Sequence, residues 1–424
     1  LLWQRTKFAE ITAHLCTKWP INKMSDISIR SLFPPTHKHY SSASVGIAEE
    51  MIPLLPSDIS WLRIVGLSRT QISSLLTIYR YECGGLAELY TMRHCDPPRH
   101  IALLEDTRPC LDQLCKLISD PHSPLNMLLE PINRWRKQLS RKLPDWQLRH
   151  GPLTFEQPIP LIMGIINITP DSFSDGGLYF DRDKAIDHAL QLVEDGADLL
   201  DIGGESTRPG SLSISASEES KRVIPMIKAL ASQVKIPISV DTTKSEVAQA
   251  ALDVGAEIVN DISCLRFDPL LAHIVAKHRA KLILMHSRHT PANMQQAPFY
   301  HCLWDEIFDE LDVGLQTAID AGITRDYIVL DPGLGFAKRP QDNFRILREF
   351  SVMRAFGLPI LIGASRKSFI GKILQTPTSQ RLEGSLAAAA AATFYDAQII
   401  RVHDVAPTRM MLQILSAIKS PQLS

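Results

Sequence analysis

Charged and amide side chains recur at one kind of place in this sequence, at the ends of short apolar, β-rich runs. Asn167 follows the run 161–166. Asp201 lies in the run 199–202, with Glu205-Ser206-Thr207-Arg208 just beyond it. Asp241 follows 236–240, Asn260-Asp261 follow 258–259, His286 ends 282–285 and Asp331 ends 327–330. Ser365-Arg366-Lys367 come after 360–362, and Arg401 with His403-Asp404 marks the run 399–402. Arg208, Lys367, Arg401 and His403 are suited to neutralising a pyrophosphate or another multiply charged anion. Asp241, Asn260 and Asp331 offer acceptors and an amide, which a flat heterocycle rich in N–H groups needs along one edge. The chemistry implied is an anion at one end of a site and a polar ring at the other.

A single polar residue at a strand end can simply cap the next helix. Eight such ends in succession exceed what capping explains, and Lys367, Arg401 and His403 are not capping types. The elements that must position them follow from the same pattern. Helical periodicity fills the gaps, for example over 184–194, 218–232, 244–252, 304–321 and 381–394. Strand and helix alternate, so the sheet is parallel. Eight units in this length predict an α/β fold of the TIM (β/α)8 barrel type, whose active site gathers at the C-terminal strand ends. A doubly wound sheet would need a glycine fingerprint after its first strand, and none is present.

The first third reads differently. Segments 70–81 and 111–118 carry apolar residues three and four apart, interrupted by Pro34-Pro35, Gly84-Gly85, Pro97-Pro98 and Pro121. Two domains are expected: a mainly helical accessory region over 1–150 and the barrel over 151–424. The basic stretch 133–149 is expected to be a solvated helix and linker rather than a nucleic-acid surface.

Lys+Arg number 45 against Asp+Glu 46, a net charge of -1, which argues against a nucleic-acid or anionic-membrane binder. The seven cysteines show no disulfide spacing, so a reducing, cytoplasmic setting is expected. No secretory signal or membrane span is read; the run 385–394 is mostly alanine and suits a tightly packed helix. A zinc site from His94, Cys95, His100, Cys110 and Cys115 lacks any CxxC pair, and core cysteines are the preferred reading.

Five segments carry a resemblance. Asn167-Ile168-Thr169-Pro170-Asp171-Ser172-Phe173-Ser174-Asp175-Gly176-Gly177 resembles the first signature loop of the dihydropteroate synthases. Gly203-Gly204-Glu205-Ser206-Thr207-Arg208-Pro209-Gly210 resembles the second. Asp331-Pro332-Gly333-Leu334-Gly335-Phe336, Ser365-Arg366-Lys367-Ser368-Phe369 and Arg401-Val402-His403-Asp404 match the later ones. The likeness runs from about 158 to 416.

It implies condensation of 6-hydroxymethyl-7,8-dihydropterin pyrophosphate with p-aminobenzoate, giving 7,8-dihydropteroate and pyrophosphate for folate biosynthesis. By the resemblance, Asp241, Asn260, Asp331 and Lys367 hold the pterin. Asn167, Arg401 and His403 hold the pyrophosphate, with Mg²⁺ on Asn167. Phe173, Thr207, Pro209, Phe336, Lys367 and Ser368 shape the aminobenzoate pocket, the target of sulfonamides. Asp241, Lys367, Asp175 and Arg208 are expected to carry catalysis, the last two from loops that order over the site. Departure of pyrophosphate leaves positive charge on the pterin methylene, so an SN1-like step needs no enzyme nucleophile, and Ser365, Ser368 and the cysteines receive no such role. Homodimers are usual in the family.

One stretch departs from the family pattern: where His-Met-x-Gly-x-Pro is usual, this chain reads His286-Ser287-Arg288-His289-Thr290-Pro291. Two enzyme alternatives remain. A pterin-binding methyltransferase barrel would share the pterin-holding groups but needs no anion clamp. A bifunctional chain would carry a divergent hydroxymethyl-dihydropterin pyrophosphokinase at its N-terminus, although that enzyme's motifs are missing. A catalytically dead scaffold barrel would not need the anion-binding and pterin-holding residues together.

Overall fold

The computed structural model describes residues 28–31, 61–65, 69–83, 87–92, 99–105, 108–123, 125–139, 141–168, 178–206, 210–290, 294, 298–300 and 303–419. Two compact units divide the chain. One comprises Leu1–Arg141 with Tyr300–Glu306 and Ser351–Gly357; the other comprises Lys142–Phe299, Ile307–Phe350 and Leu358–Ser424.

In the first unit the expected helices are present as α1 (Arg69–Tyr81) and α2 (Arg108–Leu117), followed by α3 (Leu129–Leu139). The periodicity is explained by what is buried: Ile72, Leu75, Leu76 and Tyr79 on α1, Leu111 and Leu114 on α2. On α3 the exposed Arg134 donates to Glu130 one turn earlier, a solvated pair worth a few tenths of a kcal/mol, on the order of 0.5. The helical reading did not anticipate an antiparallel sheet. Strands β1 (Ser28–Ser31), β2 (Trp61–Val65), β3 (Ala87–Met92) and β4 (Arg99–Glu105) pair in the order β1-β2-β4-β3. Unit one is therefore mixed in its secondary structure.

The second unit opens with a hairpin, β5 (Trp146–Leu148) and β6 (Gly151–Leu153). The helix expected in 133–149 is present as α3, and the last residues of that stretch form the first strand of this hairpin rather than a linker. Trp146 is fully buried, packs edge-on against Phe155 at 5.1 Å, and donates its indole N–H to the Asp326 carbonyl at 2.9 Å. Its cluster includes Leu161, Leu199, Ile258, Ile283, Val329, Leu361 and Ile399. Those residues lie at or near the starts of seven barrel strands, so the hairpin closes the N-terminal end of the barrel and leaves the chemistry to the other end.

Eight parallel strands follow: β7 (Leu161–Asn167), β8 (Leu199–Gly203), β9 (Ile238–Asp241), β10 (Ile258–Asp261), β11 (Lys281–Met285), β12 (Ile328–Asp331), β13 (Leu361–Ile362) and β14 (Ile399–Val402). They pair in sequence from β7 to β12, with β14 joining β7 to β13. A parallel bridge between Leu330 and Ile360 closes the circle. These strands are apolar almost throughout because a barrel strand is covered on both faces. Eight helices alternate with them: Leu178–Glu194, Ala216–Leu230, Ser245–Asp253, Leu271–His278, Leu303–Asp320, Pro340–Glu349, Leu382–Phe394 and Val405–Lys419. A short ninth, Ser368–Leu374, follows β13. The alanine run 387–392 lies in the helix Leu382–Phe394, where Ala388, Ala389 and Ala392 are buried. No described helix is long and apolar enough to cross a membrane.

Candidate active site

Four polar residues face the C-terminal mouth of the barrel from four strands, and one guanidinium joins two of them. Arg401 on β14 donates through Nε to Asp201 on β8 at 2.6 Å and through Nη2 to Asp241 on β9 at 2.7 Å. Asn260 on β10 donates its Nδ2 to the same Asp201 oxygen at 2.9 Å. Asp331 at the end of β12 accepts the Gly333 amide at 2.7 Å. All four acidic and amide groups are buried, where charge is costly unless paired. Asp241, Asn260, Asp331, Phe336, Lys367 and Arg401 all line one cleft of about 340 Å³, its open mouth included.

Burial pushes the Asp241 carboxyl up to about 7 against the pull of Arg401, and the neighbouring Asp201 charge adds to the rise. Asp331 is also raised by burial, although the Gly333 amide, Lys367 and Lys338 restrain it. The Lys367 ammonium is pushed down to about 8 by burial and by Arg401, with Asp331 and Asp241 opposing. Opposite charges thus balance within the cleft with little reserve, which a polar ring and an anion can exploit.

Backbone geometry after β12 shapes the wall. Gly333 has φ +70°, and a Cβ there would lie 1.9 Å from the His286 carbonyl oxygen. Only glycine fits. Gly335, at φ +81°, faces the Lys367 stem, where a Cβ would stand 3.1 Å from Cδ. Its amide is held by Asn343 Oδ1 at 2.6 Å. The loop thereby presents Phe336, over whose ring the Lys367 ammonium sits at 4.3 Å, a cation–π contact. Lys367 is the N-cap residue of the helix Ser368–Leu374, and Ser368 is exposed beside it.

The turns after β13 and β14 carry the residues expected at the anion end. His403 accepts or donates through Nδ1 at Ser365 Oγ, 3.0 Å away, and its own amide donates to the same oxygen at 3.2 Å. Arg366, in the left-handed region at φ +56°, makes two parallel bonds to Asp404, at 2.9 and 2.5 Å. The pair ties the two turns together. Burial and the Arg401 charge push His403 down to about 3, so it is neutral here. It was expected as one of four cations. In this structure it is a neutral hydrogen-bonding group held by Ser365.

Asn167 ends β7, half-buried, and its Oδ1 lies 3.7 Å from where a Gly203 Cβ would be. That same point is 3.4 Å from the Asp241 Cβ. Gly203 therefore leaves the space between Asn167 and Asp241 open. Among the described residues no group of three or more His, Cys, Asp or Glu is arranged to hold a metal ion. Phe173, Asp175, Thr207, Arg208 and Pro209, together with His94 and Cys95, lie outside the described residues.

The structure brings together the expected Asp241, Asn260, Asp331, Phe336, Lys367 and Arg401. It assigns Arg401 a position that the anion-binding expectation did not include, between the carboxylates of the ring-binding end. It also reveals Asp201 as the organiser of Asn260 and Arg401. The signal for that role was a carboxylate inside an otherwise apolar run, 199–202. Lys244 is a further residue that sequence reasoning missed. Its ammonium binds both Glu205 of the second loop and the buried Glu219, the latter at 2.5 Å.

A closed (β/α)8 barrel with paired carboxylates, an amide and two cations at its mouth defines an enzyme that handles a polar ring and an anion together. Comparison with known proteins gives this class its family. A profile described as "Pterin binding enzyme" matches residues 163–403. The dihydropteroate synthase of Bacillus subtilis is 42% identical over 257 residues, 61% of this chain and 88% of that protein. That of Synechocystis is 44% identical over 258 residues, 61% of this chain and 89% of its relative. Among solved structures, Yersinia pestis dihydropteroate synthase with a sulfonamide drug complex superposes with a TM-score of 0.62 at 41% identity. That match covers 65% of this chain and 100% of the other. The Xanthomonas albilineans dihydropteroate synthase in complex with 7,8-dihydropteroate gives 0.59 at 39%, covering 65% and 99%. The chain belongs to the pterin binding enzymes, and within them to the dihydropteroate synthases.

Proposed function

We propose that the barrel condenses 6-hydroxymethyl-7,8-dihydropterin pyrophosphate with p-aminobenzoate, releasing pyrophosphate and forming 7,8-dihydropteroate. The observation that carries this is the Arg401 fork on Asp201 and Asp241, which sets acidic ring-binding groups beside cationic ones in a single cleft. The pterin lies along Asp241, Asn260 and Asp331, with Lys367 closing its edge. Phe336, Lys367 and Ser368 bound the aminobenzoate. Phe173, Thr207 and Pro209 join them by resemblance, as Asp175 and Arg208 join the catalytic groups.

Breaking the bond to pyrophosphate leaves a cation spread over the methylene and the ring. Ionised Asp241 stabilises that cation electrostatically, and Arg401 and His403 take up the charge growing on the leaving group. The amine nitrogen then attacks the methylene and loses a proton, so no covalent intermediate on the enzyme is required. Asn167 offers one amide oxygen in the open space beside Gly203. That fits a Mg²⁺ ion taking most of its oxygen ligands from pyrophosphate and water. Such an ion would supply charge neutralisation to the departing group.

The exposed Met410, Ile414 and Ile418, spaced four apart on the helix Val405–Lys419, support a homodimer through that face. The thiols of Cys83, Cys110, Cys115 and Cys264 suit a reducing, cytoplasmic setting. For the first unit we propose an accessory role without catalysis. An assay with ATP and hydroxymethyl-dihydropterin that yielded the pyrophosphate ester would replace this with a bifunctional reading.

The test of function is product formation by the full chain. Supplied with the pterin pyrophosphate and p-aminobenzoate, it should form dihydropteroate. Supplied instead with methyltetrahydrofolate and a corrinoid acceptor, it should transfer no methyl group. The reverse pattern would favour the methyltransferase reading.

A further inference from the structure

Lys338 is two residues beyond the wall residue Phe336 and is 2% exposed. Its Nζ lies 3.1 Å from the Phe336 carbonyl oxygen and 2.9 Å from His286 Nδ1. His286, wholly buried after β11, turns its Nε2 toward Glu310 Oε2 at 3.1 Å. The other Glu310 oxygen accepts Arg288 Nε at 2.7 Å, and Arg288 Nη1 donates to the Phe299 carbonyl at 2.9 Å. A lysine, an imidazole, a carboxylate and a guanidinium thus form one chain. It runs from the cleft wall to the segment 286–291, where this sequence departs from the family pattern.

A charged Lys338 can only donate, which fixes the roles at Nδ1. Lys338 donates to Nδ1, so the proton of a neutral imidazole sits on Nε2 and faces the carboxylate. Burial and the Lys338 charge push His286 down to about 3, in keeping with a neutral ring. Burial likewise brings Lys338 down to about 7, with Asp331 and Glu310 opposing. A buried amine of this kind costs stability, and an apolar side chain would fill the space without that cost. What lysine adds is a directional donor on the Phe336 backbone.

The loop between Asp331 and Lys338 is held at both ends by His286. The His286 amide donates to the Asp331 carbonyl at 2.8 Å, and its imidazole holds Lys338. Between them the chain turns through three left-handed residues, Gly333, Gly335 and Ala337. Asp331 belongs to the ring-binding end, whereas Phe336 belongs to the aromatic wall beside Lys367. Removing the Lys338 donor frees only the second end.

We propose that Lys338 is a positioning residue for the aromatic amine substrate, its bonds to His286 and to the Phe336 carbonyl fixing the ring that walls the cleft. This rests on the aminobenzoate role given to Phe336. Glu310, held by Arg288, completes the anchor by setting a carboxylate against the Nε2 side of the His286 ring.

The test is steady-state kinetics of the full chain with both substrates varied. Lys338→Met should raise the KM for p-aminobenzoate about tenfold, the loss of one charge-assisted bond. The KM for the pterin pyrophosphate should stay within about twofold, and kcat should change much less than the aminobenzoate KM. Equal rises in both KM values, or an unchanged aminobenzoate KM, would overturn the proposal. Should Lys338→Met not fold, Glu310→Gln at the outer end of the chain should shift the same KM in the same direction, and no shift would overturn it. Phe336→Ala separates the two readings. If it raises the aminobenzoate KM while the other variants do not, only the Lys338 proposal fails. If it leaves that KM unchanged, the role given to Phe336 fails first.

Discussion

Arg401 Nη2 donates to Asp241 Oδ2 at 2.7 Å, spanning the barrel mouth from β14 to β9. In the proposed reaction this single bond would couple the group that faces the developing pterin cation to a group that receives the leaving anion. The coupling depends on Asp201, which is fully buried and accepts from both Arg401 and Asn260 through one oxygen. Asp201→Asn keeps the shape but leaves the guanidinium with one anionic partner. We expect kcat/KM for the pterin pyrophosphate to fall on the order of tenfold to a hundredfold. Stability should fall by about 3 kcal/mol, as when one partner of a buried pair is removed. Urea unfolding and initial rates check both, and an unchanged kcat/KM would show that Asp201 has no organising role.

The pH dependence follows from the two groups with displaced protonation. Asp241 must be ionised to stabilise the cation, and burial raises it to about 7. Lys367 must be charged to hold its end of the cleft, and burial with Arg401 lowers it to about 8. Rates therefore rise as pH increases through about 7 and fall above about 8, giving a narrow bell. The limbs belong to the coupled cleft rather than to isolated residues. In Asp241→Asn the acid limb should vanish along with most of the activity. A flat profile between pH 5 and 9, on the order of twofold variation, would contradict this assignment.

Gly333→Ala should be severely destabilising. The new methyl would meet the His286 carbonyl at 1.9 Å, at a φ of +70° that already disfavours a side chain. A loss of about 3 kcal/mol or more is expected, because both strain and displacement of β11 are required. Denaturant unfolding measures the loss directly. Residual folded protein should bind the pterin substrate poorly, since the Gly333 amide also holds Asp331.

The barrel was legible because its strands are nearly all apolar and each ends in a polar residue or is followed by one within a few positions. Strand boundaries slipped by a residue or two for the same reason. Asp241, Asp261 and Asp331 are the last residues of their strands, whereas apolar patterning closes each strand one or two positions earlier. The closing hairpin was hidden because Arg141, Lys142 and Arg149 dominate the stretch in which Trp146 supplies the core contact. The antiparallel sheet of the first unit depends on pairings such as Trp61 with Glu105, partners too distant in sequence for periodicity to show. Within the site, Asp241, Asn260, Asp331 and Lys367 were visible from position alone, and their substrate partners came from the resemblance. Lys338 was missed because a lysine after a glycine-rich turn reads as a surface residue. Its burial is decided by His286, which lies 52 positions away.

Pyrophosphate release by Lys367→Ala is the most direct measurement on the cleft. Lys367 lies against the Phe336 ring and is drawn toward both Asp241 and Asp331, so in the proposed reaction it would serve the ring-binding and the amine-binding ends together. With both substrates saturating, the wild-type chain should release pyrophosphate in step with dihydropteroate. The variant should be slower by about a hundredfold or more, the scale of losing a preorganised charge, while unfolding at nearly the same denaturant concentration. Undiminished release from a folded Lys367→Ala protein would contradict the placement of the reaction in this cleft.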